Sequence, residues 1–409
     1  MKMSRPSAGP ECYWSRWVSR CFPSADPMWI FGLWVIPVIG TICGIAYCML
    51  SLCCATTFRS RKQRMSKSNF APPVSILKPL CGLDPHGYES LRSHCEQDYP
   101  EFEIIFGIRN RNDAAIPTVQ RLMAEFPEVP MRIVVCDEFL GTNFKVSILL
   151  HILPAARHEY LLINDSDISV PADYLRRVMR PLEDGSVGMV TCMYRGIAAP
   201  TAGSKLESLG ISSDFVPGVL CASRLEGGIH FAMGSTLAFP RRTLEAIGGL
   251  KPVADYLADD FQMGYRTSQA RLRVELAECI VDHYLPAYSV RGFIQHQLRW
   301  ARAIRSSRPG GYRGLILTFV IPWSVLALLA TGGASWGWVL FASALILRYA
   351  VMFTTGLAIL HDRQVLRDFW LLPAHDFVAL LVWIFSYAGR CVVWRGHKFE
   401  LVNGRLRPL

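Results

Sequence analysis

The sequence predicts an α/β protein with a Rossmann-like, mostly parallel sheet that is held to a membrane by apolar helices. Short apolar runs alternate with helical patterns over about 200 residues, an arrangement typical of βαβ units. Long apolar segments precede and follow this region. With 51% hydrophobic residues and a mean hydropathy of +0.24, the chain is too apolar for an ordinary soluble enzyme. We therefore expect one N-terminal and two to three C-terminal transmembrane helices around one α/β domain.

The charge and the cysteines narrow the choice of partners and compartment. The formal net charge is +10, and the basic residues crowd beside the apolar runs, which favours contact with anionic lipid headgroups and with a phosphorylated substrate. A nucleic-acid binder would show a basic face without membrane spans, so we expect no nucleic-acid partner. The 13 cysteines form no CxxC pair and no zinc spacing, which indicates a reduced domain that faces the cytosol.

The first apolar segment predicts a membrane anchor. Residues 1–27 form a polar tail, residues 28–55 are apolar and long enough to cross a bilayer, and residues 56–71 form a basic linker. The apolar segment lacks a small-x-small cleavage site, so it should remain as an anchor. The basic residues that follow it are Arg59, Arg61, Lys62, Arg64 and Lys67. Because positive charge favours the cytoplasm, we expect the next region to be cytosolic.

Residues 72–283 carry the pattern of the α/β domain. Strands are predicted at residues 74–77, 103–108, 133–136, 160–163 and 189–193. Helices are predicted between them, at residues 87–97, 115–126, 144–153 and 172–181. Residues 229–239 and 273–278 fit further strands. Strands that alternate with helices indicate a mostly parallel sheet.

The C-terminal part predicts further membrane segments. Residues 284–313 are amphipathic and basic, which suits the membrane interface, and residues 314–389 contain apolar runs of spanning length. These runs are residues 315–330, 336–360 and 369–388. His375 and Asp376 in the last run either face the helix bundle or place that run in the interface. Three crossings would also put the basic tail, residues 390–409, outside, so the topology of the last run stays open.

The stretch from Glu159 to Pro171 predicts the centre of the site. An apolar strand ends there in Asn-Asp-Ser-Asp, which puts two carboxylates at the carboxyl edge of a sheet, where open α/β folds bind ligands. In an extended chain Asp165 and Asp167 would point to the same side. Such a pair favours a divalent cation, Mg²⁺ or Mn²⁺. The alternative is a plain turn that caps a helix beginning at Ala172.

Four other stretches have features suited to the same chemistry. The strand at residues 73–80 ends in a proline-bounded loop, a place for a nucleotide base or ribose. Residues 141–145 open a helix with free N–H groups and a lysine, which suits an anion. Asp259 and Asp260 begin another helix, where the helix dipole favours acids in any case. Residues 295–300 end in an Arg-Trp pair, which before a membrane is often a plain interfacial anchor.

The order of these features is more specific than any one of them. A DxD at 165–167, an acid pair at 259–260 and an Arg-Trp pair ahead of membrane segments resemble the membrane-bound, inverting GT-A glycosyltransferases of the ceramide glucosyltransferase family. The resemblance runs from residue 72 to residue 409. Several stretches look closest to the bacterial branch, which includes the hopanoid-biosynthesis-associated glycosyltransferase, thought to pass N-acetylglucosamine to a hopanoid lipid.

The resemblance implies a role for each motif residue. Asp165 and Asp167 would hold a divalent metal on the diphosphate of a UDP-sugar, and Asp260 would be the base. The implied catalytic residues are Asp260, Arg299 and Trp300, with Arg299 near the diphosphate and Trp300 near the acceptor. The implied donor-binding residues are Pro79, Asn110, Asp113, Lys145, Asp165 and His296.

Two positions depart from the family pattern, and Asp259 is expected to have a different role from Asp260. The family's early aspartate falls on Asn110, with Asp113 as an alternative, and the first position of the Q/R-x-x-R-W signature is His296. Asn can hydrogen-bond a uracil edge both as donor and as acceptor. Asp259 diverges from Asp260 by about 100° on a helix, so it should cap or orient rather than reach the substrate.

The sequence thus predicts a metal-dependent inverting glycosyltransferase. It would move one sugar, glucose or N-acetylglucosamine, from a UDP-sugar to a hopanoid or ceramide at the cytosolic face of the inner membrane. A processive polysaccharide synthase shares these motifs but would need more spans to form a channel. A non-catalytic membrane partner that keeps the fold is the other alternative, motivated by Asn110 and His296.

Overall fold

The computed structural model describes residues 27–62 and 69–409. The expected polar tail up to residue 26 and residues 63–68 of the expected basic linker lie outside the described residues. The described chain divides into two compact units. One contains residues 27–49 and 315–349, and the other contains the rest of the described residues up to 314 together with residues 350–409.

The second unit contains an eight-stranded sheet, which confirms the predicted α/β fold. Its strands are β1 (Val74–Pro79), β2 (Phe102–Ile108), β3 (Met131–Val135), β4 (Tyr160–Ile163), β5 (Ile168–Ser169), β6 (Val187–Ile197), β7 (Leu237–Pro240) and β8 (Arg273–Tyr284). They lie in the order β3-β2-β1-β4-β7-β6-β8-β5. Strands β1 to β4 are parallel, β6 and β8 are parallel, and β5 and β7 pair antiparallel with their neighbours.

The helices of this unit alternate with the strands as the pattern predicts. They are α2 (Gly87–Cys95), α3 (Ile116–Glu125), α4 (Phe144–Ile152), α5 (Tyr174–Met179), α6 (Ala202–Gly210), α7 (Val216–Leu225), α8 (Arg241–Ala246), α9 (Asp259–Gln269), α10 (Val290–Ser307), α11 (Pro309–Gly314), α14 (Val365–Asp368) and α15 (Leu372–Ser386). Two π-helices, Ile211–Phe215 and Thr354–Ile359, interrupt the α-helical segments. Helix α1 (Pro27–Lys62), α12 (Val320–Ala330) and α13 (Ser335–Phe353) complete the set.

The core lies where helices cover both faces of the sheet. All residues of β1 and β7 are buried, as expected for strands without polar alternation. Helix α4 approaches β2 closely because Gly107 has no side chain: a Cβ there would lie 2.3 Å from Cγ2 of Ile148. This close packing fixes α4, which carries a residue of the site.

One predicted strand is shorter than expected. Residues 229–239 were expected to be extended throughout, but the strand in this region, β7, begins only at Leu237. The preceding residues form a loop in which Met233 bonds to Thr191 of β6. These bonds hold the loop in a bend that places Gly234 at the end of the sheet, beside the candidate site.

The segment expected as a basic tail, residues 390–409, folds into a three-stranded antiparallel sheet. Its strands are β9 (Cys391–Trp394), β10 (His397–Val402) and β11 (Arg405–Pro408). The sheet packs on the loop before α9: the N–H of Leu257 donates to the carbonyl of Gly404 at 3.0 Å, and that of Leu406 to Asp255 at 2.7 Å. Its apolar face buries Phe399 against Leu257.

Three helical segments are long and apolar enough to cross a membrane, namely Val35–Arg59, Ser335–Ile359 and Val365–Ser386. They confirm the N-terminal anchor and two C-terminal candidates. The expected span at residues 315–330 is different: Pro309–Thr318 and Val320–Ala330 form a pair bent by 48°, which is either a broken span or a re-entrant loop. Pro322 near the start of the second helix is consistent with the break.

In the first unit, α1 and α12 approach through glycines. A Cβ on Gly40 would lie 2.5 Å from the Trp323 ring, and a Cβ on Gly44 would lie 2.7 Å from Cβ of Val320. The two glycines are four residues apart, the spacing of small residues at helix contacts in membranes. Only glycine therefore permits this helix pair.

In the second unit, α15 packs along the α/β domain. Trp383 donates to the carbonyl of Tyr312 at 2.9 Å, and the Tyr312 hydroxyl donates to Ser386 at 2.9 Å. Near the start of α15, Nδ1 of His375 lies 3.6 Å from Oδ2 of Asp214 in the first π-helix and 3.4 Å from Asp376. His375 and Asp376 thus face the protein, in a group whose ligand atoms could hold a metal.

Candidate active site

Asp165 and Asp167 lie in the loop that leaves the carboxyl end of β4, between β1 and β7. The chain turns between them, so an extended backbone does not present them as expected. Each carboxylate has its own cationic partner. Nζ of Lys145 lies 2.7 Å from Oδ1 of Asp165, and Nε2 of His283 lies 3.0 Å from Oδ2 of Asp167. Neither caps α5, which begins after Asp173 without a side-chain cap, so the plain capping alternative is excluded.

The two carboxylates titrate in opposite directions. Burial raises the pKa of Asp165, although Lys145 opposes this. Burial alone would also raise the pKa of Asp167, but His283 lowers it below its ordinary value. Burial would lower the pKa of His283, but Asp167 raises it to about 9. Asp167 and His283 are therefore an ion pair at neutral pH.

A buried polar network supports the turn that contains Asp165 and Asp167. Nζ of Lys78 donates to the carbonyl of Asp165 at 2.9 Å and to Oδ1 of Asn164 at 3.2 Å. Nδ2 of Asn164 lies 2.8 Å from Nε2 of His94. Burial lowers the pKa of Lys78 to about 7. A polar network that is satisfied in a dry interior specifies a single geometry, so the turn is rigid.

Lys145 stands in the first turn of α4, as the sequence predicts. The N-cap residue Asn143 accepts from the N–H of Val146 at 3.1 Å. Nζ of Lys145 bridges Asp165 and Asp259, at 2.7 and 3.4 Å. Burial would lower the pKa of Lys145, but Asp165 and then Asp259 raise it. Lys145 is therefore a fixed positive charge within the acids.

The expectation of free N–H groups at the start of α4 is wrong for Thr142 and Asn143. The N–H of Thr142 donates to Oδ1 of Asp255 at 3.0 Å, and that of Asn143 donates to the carbonyl of Ala254 at 2.8 Å. These groups bond within the protein because the loop is anchored on the segment before α9. The Lys145 side chain is then what remains for an anion.

Asp260 faces the same small space as Asp165. The N–H of Gly234 donates to Oδ2 of Asp260 at 2.7 Å. A Cβ on Gly234 would lie 2.7 Å from Oδ2 of Asp165 and 3.3 Å from both Oδ2 of Asp260 and Nζ of Lys145. The carboxylate of Asp165, the ammonium group of Lys145 and the candidate base Asp260 therefore meet beside Gly234, where the absence of a side chain leaves space.

The neighbouring acids Asp259 and Asp260 have different surroundings. Asp259 is buried, and its Oδ1 accepts from the side chain of Asn143 at 3.1 Å. Asp260 accepts from two backbone N–H groups and from no side chain among the residues described. Burial, and then Asp259, raise the pKa of Asp260 to about 6. Asp259 thus holds the start of α9 against the start of α4, while Asp260 has the pKa of a base that works near neutral pH.

The turn after β4 fits a divalent cation. Oδ1 of Asp167 is buried and has no hydrogen-bond partner within the described part of the chain. Oδ2 of Asp165 faces the space beside Gly234. These two carboxylate oxygens form a donor set of the kind that suits Mg²⁺ or Mn²⁺.

The expected donor-binding residues after β1 and β2 lie on two joined loops. Pro79 is the last residue of β1, and Asn110 is exposed just beyond β2. Both carboxylate oxygens of Asp113 accept from the N–H of Gly82 at 3.1 Å. Oδ1 of Asp113 also accepts from the N–H of Ala115. Asp113 therefore ties the two loops together, and Asn110 is the more accessible of the two polar side chains.

Helix α10 presents His296, Arg299 and Trp300. Arg299 is partly buried, yet its guanidinium makes no hydrogen bond or ion pair with any residue in the described ranges, and burial lowers its pKa. Nδ1 of His296 lies 3.1 Å from the carboxylate of Glu207. The ring of Trp300 contacts the ring of Phe215, with centroids 6.1 Å apart.

Sequence reasoning missed Lys78, Glu207, Gly234 and His283 as residues of the site. Lys78 lies in a stretch that the pattern singled out only as a nucleotide loop, and Gly234 lies in one that was expected as a strand. His283 and Glu207 lie far from the motifs along the chain. No sequence spacing links Glu207, in the helix Ala202–Gly210, to its partner His296. The role of His283 becomes visible only in the fold, where the end of β8 pairs with β5.

Comparisons with known proteins identify relatives of this chain. The family described as glycosyl transferase family 21 matches residues 36–406. Ceramide glucosyltransferase 1 of Caenorhabditis elegans is 24% identical over 377 residues, covering 82% of this chain and 73% of that protein. Ceramide glucosyltransferase of Komagataella phaffii is 30% identical over 164 residues, covering 37% of this chain and 32% of that protein.

Among solved structures, a mannosyltransferase of Pyrobaculum calidifontis in complex with GDP-Man and Mn²⁺ is similar, with a TM-score of 0.44 and 19% identity. The similarity covers 85% of this chain and 99% of that one. The family match extends over most of the chain and confirms both the resemblance and the glycosyltransferase activity expected from it. This protein belongs to glycosyl transferase family 21.

Proposed function

We propose that this protein is a metal-dependent, inverting hexosyltransferase that moves one sugar, glucose or N-acetylglucosamine, from a UDP-sugar to a hydroxyl group of a membrane lipid, a hopanoid or a ceramide. The observation that carries the proposal is the meeting of Asp165, Lys145 and Asp260 beside Gly234. Sugar transfer needs positive charge at the leaving diphosphate and a base near the sugar, and this space offers both.

On the donor side, the residues supply positive charge for a diphosphate. Asp165 and Asp167 would hold Mg²⁺ or Mn²⁺, which when bound neutralises the charge of the leaving group. Arg299 would bind a diphosphate oxygen, because a partly buried guanidinium with no hydrogen-bond or ion-pair partner in the described chain favours an anionic ligand. Lys145 lies between Asp165 and Asp259 and adds a second positive charge. The uridine would lie along the loops of Pro79 and Asn110.

On the acceptor side, Asp260 would take the proton from the attacking hydroxyl. Its pKa of about 6 makes it a stronger base than an ordinary aspartate, yet leaves it ionised at neutral pH. A base that activates the acceptor directly supports a single displacement at the sugar, which inverts its configuration.

The lipid acceptor is proposed from the surroundings of α10. The apolar helix α15, part of a candidate membrane segment, packs on the helices that follow Trp300. Trp300 offers an apolar face with a polar edge, as residues at a headgroup level do. The relatives named above are ceramide glucosyltransferases. The basic residues after the anchor favour a cytosolic domain, at the inner membrane of a bacterium.

The test uses the full-length protein in lipid bilayers, with UDP-glucose or UDP-N-acetylglucosamine and lipid extracts that contain ceramide or hopanoid. Mass spectrometry should show a lipid that gains one hexose or one N-acetylhexosamine, with release of UDP. The Asp260→Asn variant serves as the negative control. A long polymer, or no sugar-bearing lipid with either donor, would overturn the proposal.

The metal-binding part has its own test. Asp165→Ala and Asp167→Ala should each lower donor affinity at least about tenfold, because they remove the oxygens available to a cation. Mn²⁺ titration followed by UDP binding measures this. Asp98→Ala is the control, since Asp98 lies in an exposed ion pair with Arg176. Full activity of the parent in excess EDTA would contradict the metal role.

A further inference from the structure

A buried acid–imidazole pair lies beside Trp300. Glu207 on α6 is 7% exposed. Nδ1 of His296 lies 3.1 Å from both of its carboxylate oxygens. A buried carboxylate that contacts Nδ1 holds the proton on that nitrogen. The second ring nitrogen, Nε2, bonds to no residue that the structure describes.

Aromatic rings flank this imidazole. The ring of Tyr288 stacks on His296 with centroids 5.1 Å apart and an interplanar angle of 22°. The ring of Trp300 lies 6.0 Å away on the same helix. The side chain of His296 is 15% exposed, so a ligand has access to it. One hydrogen-bonding nitrogen between apolar rings suits a molecule with a hydroxyl group on an apolar body.

The charge of Glu207 decides which substrate fits. A buried carboxylate repels a diphosphate, so this pair is unsuited to the nucleotide end of the donor. Arg299 on the same helix has the charge that a diphosphate needs and lacks a carboxylate partner in hydrogen-bonding contact among the described residues. Helix α10 therefore carries two kinds of group: a cation suited to the donor, Arg299, and a carboxylate-held imidazole suited to an uncharged group, His296.

Continuous ring contacts join this pair to the acid turn. Trp300 contacts Phe215 with centroids 6.1 Å apart, Phe215 contacts Tyr194 at 5.1 Å, and Tyr194 contacts His283 at 5.5 Å. His283 bonds to Asp167. The Glu207–His296 pair is thus joined to the turn of Asp165 and Asp167 by packed rings.

We propose that Glu207, His296, Tyr288 and Trp300 form a subsite for the polar head of the lipid acceptor, in which Nε2 of His296 forms a hydrogen bond with an acceptor hydroxyl. The proposal rests on the proposed function and assigns His296 to the acceptor rather than to the donor, where the family signature had placed it. The proposal also explains why His296 stands where the family signature has Gln or Arg, because His296 pairs with the buried carboxylate of Glu207.

The test compares kinetic constants for the two substrates, using the full-length protein in bilayers. His296→Phe keeps the ring and its stacking but removes both nitrogens. The acceptor KM should rise about fivefold or more, the effect of one lost hydrogen bond, while the donor KM stays unchanged. UDP binding without acceptor, measured by calorimetry, should also stay unchanged.

Two further variants keep the result interpretable. His296→Phe leaves Glu207 buried without its partner, so the double variant Glu207→Leu/His296→Phe removes both members and avoids an unpaired charge. It should fold and show the same split between the two KM values. His230→Phe is the control, because both ring nitrogens of His230 already contact protein atoms, and its acceptor KM should not change.

The outcomes separate this inference from the proposed function. If the parent transfers sugar and the variants keep its acceptor KM, or lose donor affinity instead, the subsite is wrong and the function stands. If the parent transfers no sugar to any lipid, the proposed function fails, and the subsite fails with it.

Discussion

Asp259 and Asp260 show how surroundings divide the roles of two adjacent carboxylates. Asp259 accepts from Asn143 and pairs with Lys145, so its position is fixed by α4. Asp260 receives only backbone N–H groups, from Gly234 and Phe261. The bonds to Asp259 hold the start of α9 in place, and Asp260 is left to face the space that the substrate would enter.

Asp260→Asn should abolish transfer and stabilise the protein at the same time. Loss of a general base lowers kcat by at least about 10²-fold. The pKa of Asp260 is raised to about 6, so the folded state disfavours its ionisation. Its contribution to stability therefore falls as pH rises from about 4 to about 6, and a neutral Asn escapes this loss. Thermal unfolding at pH 7.5 should show a higher Tm for the variant, with UDP binding retained.

The same pKa predicts the pH dependence of the reaction. Below pH 6 the Asp260 carboxylate is protonated and cannot accept a proton, so kcat should fall about tenfold for each pH unit. Initial rates at saturating donor and acceptor between pH 4.5 and 8 measure this. A rate that stays constant below pH 6 would mean that the base is another group.

Gly234→Ala should block the site without unfolding the domain. The added Cβ would lie 2.7 Å from Oδ2 of Asp165, a distance at which atoms must shift, and it would fill the space that three functional groups share. Donor affinity should fall at least about tenfold. Gly185→Ala is the matched control, because a Cβ there meets nothing within 4 Å. Equal donor affinity in the two variants would show that the space is not used.

The sequence predicts the residues of the site where the resemblance has a motif, and misses those held only by the fold. The Lys145 helix and the carboxylates of Asp165 and Asp260 follow from spacing and family pattern. Their meeting at Gly234 does not, because it depends on a loop that was expected to be a strand. His283 and Glu207 lie on elements with no marked pattern, so only the folded chain shows their partners.

The sheet β9–β11 contains a local sequence pattern, an Asn-Gly pair, that indicates a hairpin where a basic tail was expected. Asn403 and Gly404 both have positive φ, at 50° and 82°, and join β10 to β11. An Asn-Gly pair between two short strands is a strong local sign of a two-residue hairpin. Net positive charge hid this pattern, because five basic residues in a short segment suggest a tail in contact with lipid.

Gly44→Leu should disrupt the contact between α1 and α12. A Cβ at Gly44 would lie 2.9 Å from the backbone Cα of Val320, which cannot move aside as a side chain can. Overpacking of this kind costs about 1–3 kcal/mol, so the Tm in detergent should fall. Ile42→Leu on the exposed face of the same helix is the control. An unchanged Tm for Gly44→Leu would show that the two helices do not pack this closely.

At the scale of the whole molecule, the sheet β9–β11 constrains the path of the chain. It bonds to the segment before α9, so it lies on the same side of the membrane as the α/β domain. The chain between Gly314 and residue 390 must then cross the membrane an even number of times. The hydrogen bonds to residues 255 and 257 therefore predict an even number of crossings, which the hydropathy pattern alone does not indicate.

Two of the three apolar segments after the domain should therefore cross, and one should not. We expect α15 to stay at the interface, because His375 near its start faces Asp214 and Ser386 at its end bonds to Tyr312. Green fluorescent protein fused after Leu409 should fluoresce, and alkaline phosphatase there should be inactive, because both then lie in the cytosol. The opposite pattern would exclude the even count.

The hydroxyl of Thr142, three residues before Lys145, donates to the carbonyl of Leu406, which lies 264 positions further along the chain. The candidate membrane segments Ser335–Ile359 and Val365–Ser386 lie within that interval. A nascent molecule whose segments fail to insert would lack the strands that brace this loop. Integration into the lipid would then be a precondition for turnover, so that misrouted copies do not waste activated sugar in the cytosol.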